Sequence, residues 1–253
     1  INAISEAVAE TDEELFEKYF SGEQFTAEEI LSGIKKGVKA GAITPVVCCS
    51  AFTLAGVDMV LDMICELMPS PKEADDEICM DSDGNPVELI CADDQPLAAF
   101  VFKTIADPFV GKMSYVKVLS GKLTADQIPV NTTTGQPERL GKIIFVKGKK
   151  QEDTPQIGAG DIGAVTKLAG TNTGDMLCDP SRPLKCEPME FPAPCLSIAC
   201  KPKAKGDEGK IAQALQRLME EDRTIAYENN VETKQQIVTG LGEQHLDVLV
   251  SKM

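Results

Sequence analysis

The sequence predicts a multidomain protein: an α/β segment, a small antiparallel β-barrel, and an incomplete α+β domain of the split βαβ (ferredoxin-like) type. Three observations carry this. Helical periods opened by threonine–glutamate caps fill much of residues 1–71. Across residues 96–190 the helical periods vanish, and short apolar runs alternate with Gly, Asp and Pro turns. From 191 to 253 the patterns run strand, helix, strand, strand, helix. Residues 72–95 are acidic and polar and read as a solvated linker carrying a small hairpin.

In the first region, Thr11-Asp12-Glu13-Glu14 and Thr26-Ala27-Glu28-Glu29 both have capping-box form. The threonine oxygen takes an orphan amide and the glutamate reaches back to the cap. After the second box Ile30, Ile34 and Val38 form one helical stripe, and Gly41 suits the helix end. Ile43 to Cys49 is an apolar run of strand length. Ser50-Ala51 turns the chain, and Val57, Leu61, Ile64 and Met68 then recur at helical spacing until Pro69 and Pro71 stop the helix. In the linker, Asp83-Gly84-Asn85 is a hairpin turn signal. Asp81, Asp83 and Asn85 suggest a calcium loop, but the glycine is misplaced and position twelve is Ala92.

In the second region, Ala98 to Ala106 is a β-rich run with Phe100 and Phe102 on one face. Asp107-Pro108 breaks it, Gly111 turns it, and Met113 to Leu119 returns. Thr134-Gly135-Gln136-Pro137 is a turn. Arg139 to Lys147 is a strand with Ile143 and Phe145 on one face and Ile144 and Val146 on the other. Ala159-Gly160-Asp161 leads into Ile162 to Leu168, and Thr173-Gly174-Asp175 into Met176 to Cys178. Five or more strands without helices predict a closed barrel. Gly158 to Gly163 fits a dinucleotide glycine pattern, but a strand follows where a helix is needed. In the third region, Leu196 to Lys201 is a strand. Asp207 caps a helix striped by Ile211, Leu215, Leu218 and Met219. Thr224 to Glu228 and Gln235 to Thr239 are strands. Gly240-Leu241-Gly242 opens a helix with Leu246, Leu249, Val250 and Met253 on one face.

Composition narrows the function. Nine cysteines are scattered without a Cys-x-x-Cys pair, and there is one histidine, His245. No metal site is expected, and free thiols in a reducing cytoplasm are the plain reading. The net charge of −15 divides as −16 over residues 1–95, +2 over 96–190 and −1 over 191–253. Acidic charge opposes non-specific nucleic-acid binding, so only the later regions suit RNA. There Arg139, Lys142, Lys147, Lys149 and Lys150 form a basic group. Neither Gly-x-x-x-x-Gly-Lys-Ser/Thr nor Asn-Lys-x-Asp occurs, so no phosphate cradle or guanine-specifying aspartate is present. No apolar run is long enough to argue for a membrane.

Several stretches resemble elongation factor G, the GTPase family that drives translocation on the ribosome. PLAAFVFKTIADPFVGKMSYVKVLSGK (96–122), AGDIGAV and TNTGDMLC are similar to its second domain. KPKAKGDEGKIAQALQRLMEEDRT and GLGEQHLDVLV are similar to its third. The resemblance implies a fragment of a cytoplasmic, monomeric translational GTPase: the end of the GTPase domain (1–71), the barrel, and the start of the α+β domain. GTP and Mg2+ would belong to the longer parent, and the fragment would hold no cofactor and no catalytic residue. Ser50 and Ala51 would contact the guanine through backbone amides. The basic group would meet small-subunit ribosomal RNA, and Glu243 and His245 would lie at an interface of the third domain near a small-subunit protein. Cys49 stands where the family has glycine, Thr53 and Leu54 where basic and amide residues are common, and Gln244 where leucine is usual. A paralogue serving ribosome protection or recycling therefore stays open, as does a non-enzymatic module that reuses the barrel.

Overall fold

The computed structural model describes residues 2–107, 111–202, 206 and 208–253. The predicted break at Pro108 and the cap at Asp207 lie outside these. The chain forms two compact units that divide between Asp75 and Asp76.

The first unit holds α1 (Asn2–Ala9), α2 (Glu13–Phe20), α3 (Ala27–Lys39) and α4 (Val57–Leu67). The sequence reading had no α1. Its Val8 is fully buried, and α3 can come close because it presents Gly33, where a Cβ would lie 2.5 Å from Val8 Cγ1. The Thr26 box forms as expected: Glu29 N–H donates to Thr26 Oγ1 (3.2 Å) and Thr26 N–H to Glu29 Oε2 (2.7 Å). The Thr11 box does not. Thr11 spends its hydroxyl on the Val8 carbonyl at the end of α1, and Asp12 is the cap, accepting from Glu14 N–H at 3.0 Å. Residues 43–49 also depart from expectation. They run without a ladder partner among the described residues, and Val46 is 85% exposed. An apolar run becomes a strand only beside another strand.

The second unit begins with a hairpin, β1 (Glu77–Met80) and β2 (Pro86–Leu89), whose turn holds Gly84 at φ +84°. The Asp81 carboxylate accepts from the Asp83 and Asn85 amides and from Asn85 Nδ2 at 2.8–3.0 Å, so its oxygens serve the turn. The hairpin and its turn form as predicted and most of 72–95 is exposed, but the hairpin is anchored rather than free. Cys79 and Leu89 are buried against Ala98, Leu119, Met176 and Leu184. Cys79 is joined in a disulfide to Cys186, which corrects the reading of nine free thiols for these two.

The barrel strands are β3 (Ala98–Asp107), β4 (Gly111–Ser120), β5 (Leu123–Thr124), β6 (Val130–Asn131), β7 (Gln136–Pro137), β8 (Ile143–Lys147), β9 (Lys150–Asp153), β10 (Gln156–Ile157), β11 (Ile162–Thr166) and β12 (Met176–Cys178). Eight form one antiparallel sheet in the order β7-β6-β12-β3-β4-β11-β8-β9, and β5 pairs with β10. Both groups wrap one core that includes Val101, Val116, Leu123, Ile143, Ile157 and Leu177. The predicted alternation in β8 holds: Ile143 and Phe145 face this core, whereas Ile144 and Val146 pack with Met113 on the other side. The strand starts at Ile143 rather than Arg139, because Lys142 is tied to Thr166 through its amide and carbonyl. Phe102 falls at a bulge between Val101 and Lys103. β9 carried no apolar signal, since it is a charged edge strand, Lys-Gln-Glu-Asp.

The rest comprises β13 (Leu196–Cys200), α5 (Glu208–Glu221), β14 (Ala226–Asn230), β15 (Gln235–Gly240) and α6 (Glu243–Lys252). The order β13-β15-β14, antiparallel throughout, makes β13 and β14 parallel with β15 between them. This is the split βαβ pattern. Leu215, Ile225, Val238, Leu246 and Leu249 form its core. Val250 and Met253, predicted on the buried face of α6, are 53% and 40% exposed. Their helical period is right, but the cluster ends at Leu249.

Candidate functional site

Polar contacts join the barrel to the end of α5. Among the described residues, Ala106 N–H donates to Glu221 Oε1 at 2.7 Å, and Arg223 Nη1 donates to the Thr173 carbonyl at 3.3 Å. The Arg223 guanidinium also lies 5.9 Å from the centre of the Phe191 ring. The residues beside Arg223 face the other way. Asp222 Oδ1 accepts from Thr224 N–H (2.8 Å) and Oγ1 (2.5 Å), and its Oδ2 meets His245 Nε2 at 2.9 Å. Burial pushes the Asp222 carboxyl up. The bonds from Thr224 and His245 outweigh that and hold it below the ordinary carboxylate range.

His245 therefore has two partners. Its Nδ1 accepts from Leu241 N–H at 3.0 Å. An accepting Nδ1 leaves the proton on Nε2, which donates to Asp222. The histidine stitches the Gly-Leu-Gly turn to the end of α5. A Cβ at Gly240 would lie 2.9 Å from both His245 Nδ1 and Leu246 Cδ2, so a larger residue there must displace one of these side chains. Glu243 opens α6 and is exposed. The sequence reading names His245 and Glu243 and gives no sign of Asp222 or Arg223.

The basic group is divided. Lys147 and Lys150 flank the β8–β9 turn with Lys149 between them, whereas Lys142 lies five residues back, roughly 16 Å along an extended chain. Lys142 pairs with Asp153 (2.8 Å), and Lys147 and Lys150 share Glu152 (3.2 and 2.8 Å). The two lysines hold the Glu152 carboxyl below its ordinary range. Arg139 and Lys149 are exposed. In the first unit, Ser50 N–H donates to the Ala55 carbonyl (2.9 Å), Ser50 Oγ accepts from Thr53 N–H (3.3 Å), and Ala51 is exposed at the turn.

A buried polar network escaped sequence reading because its members are far apart in the chain. Asn131 Nδ2 donates to Thr171 Oγ1 (3.1 Å) and Asp175 Oδ2 (2.9 Å), and its Oδ1 accepts from the Thr133 and Thr134 amides. Glu138 Oε1 accepts from Gly170 N–H and Thr171 Oγ1 at 2.7 and 2.9 Å. The network fixes residues 170–175, whose Thr173 carbonyl is the one Arg223 holds.

Residues 96–180 match the family described as elongation factor G domain 2, and residues 191–253 match elongation factor G, domain III. A crystal structure of a protein from Thermus thermophilus is similar to this chain at 30% identity and a TM-score of 0.78. The match covers 98% of this chain and 35% of that one, so the chain spans about a third of the length of that relative. The barrel and the split βαβ domain stand in the order and at the boundaries that the two family matches give, and the chain belongs to the elongation factor G family.

Proposed function

We propose that this chain is part of a ribosome-dependent translational GTPase that moves tRNA and mRNA in the cytoplasm. The observation that carries the reading is the pair of adjoining domain matches, barrel then α+β, tied by Arg223 and Glu221. GTP and Mg2+ would be held by the longer protein. Ser50 donates its amide to Ala55, and Ala51 beside it is exposed at the turn, where its amide would meet the guanine. The Lys147–Lys150 hairpin tip and Arg139 would contact small-subunit RNA phosphates, which need charge but no base code. Glu243 and His245 would sit at the third domain's working interface with the GTPase switch and a small-subunit protein, with the factor acting as a monomer. The departures at Cys49, Thr53 and Gln244 favour testing a recycling or protection role alongside translocation.

The test is GTP turnover by the longer protein, with and without vacant ribosomes, at fixed salt. Strong ribosome stimulation is expected. An active, folded protein that ribosomes leave unstimulated would overturn the reading. The triple variant K147E/K149E/K150E should weaken ribosome binding and flatten its salt dependence, since each lost phosphate contact lowers the slope by about one.

A further inference from the structure

We propose that the Cys79–Cys186 disulfide is a thiol-controlled staple, which fixes the segment 179–191 to the β1–β2 hairpin and, through Phe191 of that segment, steadies the seam between the barrel and the α+β domain. The bond joins an almost fully buried residue of β1 to a half-buried one in an irregular segment, with Cα atoms 4.3 Å apart. Beside it, Met80 N–H donates to the Lys185 carbonyl (2.7 Å) and Lys185 N–H to the Met80 carbonyl (2.8 Å). Besides those two bonds, the packing of Leu184 and Cys186 and the Cys178–Leu184 contact tie the middle of this segment to the body.

Cys186 borders two clefts. One, of 440 Å3, is lined by Ile78, Phe100, Phe102, Lys117 and Glu187. The other, of 350 Å3, is lined by Thr133, Lys185, Met189, Phe191 and Arg223. The segment supplies a wall to each. Its Phe191 also lies against the Arg223 guanidinium that grips Thr173. Opening the staple thus loosens the hairpin on the barrel and reaches the interdomain contact through Phe191.

A third cysteine shares the cluster and does not compete. Cys178 is fully buried and directs its thiol at the Leu184 carbonyl, 3.7 Å away. Burial pushes that thiol up to about 11, so it stays protonated and slow to exchange. The half-buried Cys186 sulfur is the accessible point of attack. A dithiol's thiolate attacks Cys186 Sγ, the S–S bond breaks, and Cys79 leaves as a thiolate that takes up a proton. The dithiol's second thiol then closes on the mixed disulfide and releases Cys186. The protein gains two electrons and two protons, and the dithiol departs as its own disulfide.

The physiological trigger rests on the proposed cytoplasmic setting, where a protein disulfide is transient and redox-sensing. The experiment uses neither ribosomes nor nucleotide, so the two readings fail separately. The full chain, purified without reductant, is alkylated and digested. A linked peptide pair containing Cys79 and Cys186 is expected, and labelling of all nine cysteines would overturn the proposal. Hydrogen exchange is then followed with and without dithiothreitol. Reduction should raise exchange in 77–89 and 180–191 at least about tenfold, and raise it also at 222–225, while α1–α3 stay unchanged. An unchanged pattern would overturn it. C186S should reproduce the reduced pattern, and C178S should keep the oxidised one. Should C186S not fold, the oxidised and reduced wild-type chains already give the comparison.

Discussion

The barrel and the four N-terminal helices carry apolar patterns of similar clarity, yet they do different things with them. In the barrel, Val101, Val116 and Val118 are fully buried. In α4 the stripe residues Leu61 and Ile64 are 59% and 48% exposed, Met68 at its C-terminal cap is 40% exposed, and Phe52 ahead of it is 98% exposed. Periodicity names the face an element would bury. Whether the face is covered depends on neighbours: a strand finds them through its ladder, whereas α4 meets α3 and leaves this stripe open. The helical unit leans instead on caps, on glycine-mediated approach of α1 to α3, and on ion pairs across α2 and α3.

Core truncation should break the two regions apart most widely. Leu177→Ala removes a fully buried side chain and should cost the barrel about 2–5 kcal/mol. Leu61→Ala on the open face of α4 should cost no more than about 0.5 kcal/mol. The chain has no tryptophan and three tyrosines, Tyr19, Tyr115 and Tyr227, in the first unit, barrel and α+β domain respectively. Pairwise Tyr→Phe replacement leaves one reporter per region for denaturant unfolding. Equal costs at the two sites would end the distinction.

Polar burial should separate them next. Asn131→Ala takes the Asn131 donor from the buried Asp175 carboxylate, which keeps that of Asn172 N–H, and frees the amides of the exposed Thr133 and Thr134. A hydrogen bond to a charged group is worth about 1.5–3 kcal/mol, so a loss of about 2 kcal/mol at the Tyr115 reporter is expected. The first unit has no comparable network among its described residues. Its most sensitive polar contact is the Thr26 box, and Thr26→Ala should cost about 1 kcal/mol at the Tyr19 reporter. Thr11→Ala should cost less, because Asp12 holds the cap.

The same contrast explains what could be read from the sequence. Local devices were legible: the Thr26 box, the Gly84 turn, the alternation of Ile143 to Val146, and the Ile211, Leu215, Leu218 stripe each depend on neighbours within a few residues. Thr11 misled because Asp12 one position on satisfies the same amides. Residues 43–49 misled because a strand needs a partner that the run itself does not supply. What went unseen was mostly long-range. Asn131 meets residues 40 and 44 positions away, Cys79 pairs 107 positions away, and Asp222 reaches His245 across 23. Of the candidate site, His245 was legible through its turn, whereas its partner Asp222 and the seam residue Arg223 were not. Chain order does not encode which polar groups a fold brings together.

Acid should act on the helices through the pairs that stand in for a core. Lys18 Nζ lies 2.6 Å from Glu29 Oε1, and Lys36 pairs with Asp12, so both contacts join α2 or its cap to α3. The Lys18 ammonium, helped by the Thr26 amide, holds the Glu29 carboxyl down to about 2, from an ordinary value of 4.5. A carboxyl lowered in the folded state stabilises the fold above its unfolded value and loses that contribution as pH falls through the folded one. Unfolding of the first unit should therefore be insensitive to pH from 7 to about 5 on account of Glu29, and become easier between 4.5 and about 2. Both groups face solvent, so the effect is small and salt screens it. Glu29→Gln keeps an acceptor for the Thr26 amide and removes the charge. Its Tyr19-reported midpoint should start lower at pH 6 and converge on wild type near pH 2. Parallel curves at every pH would assign the contact to the cap alone and leave the Lys18 pair with no part in holding the helices together.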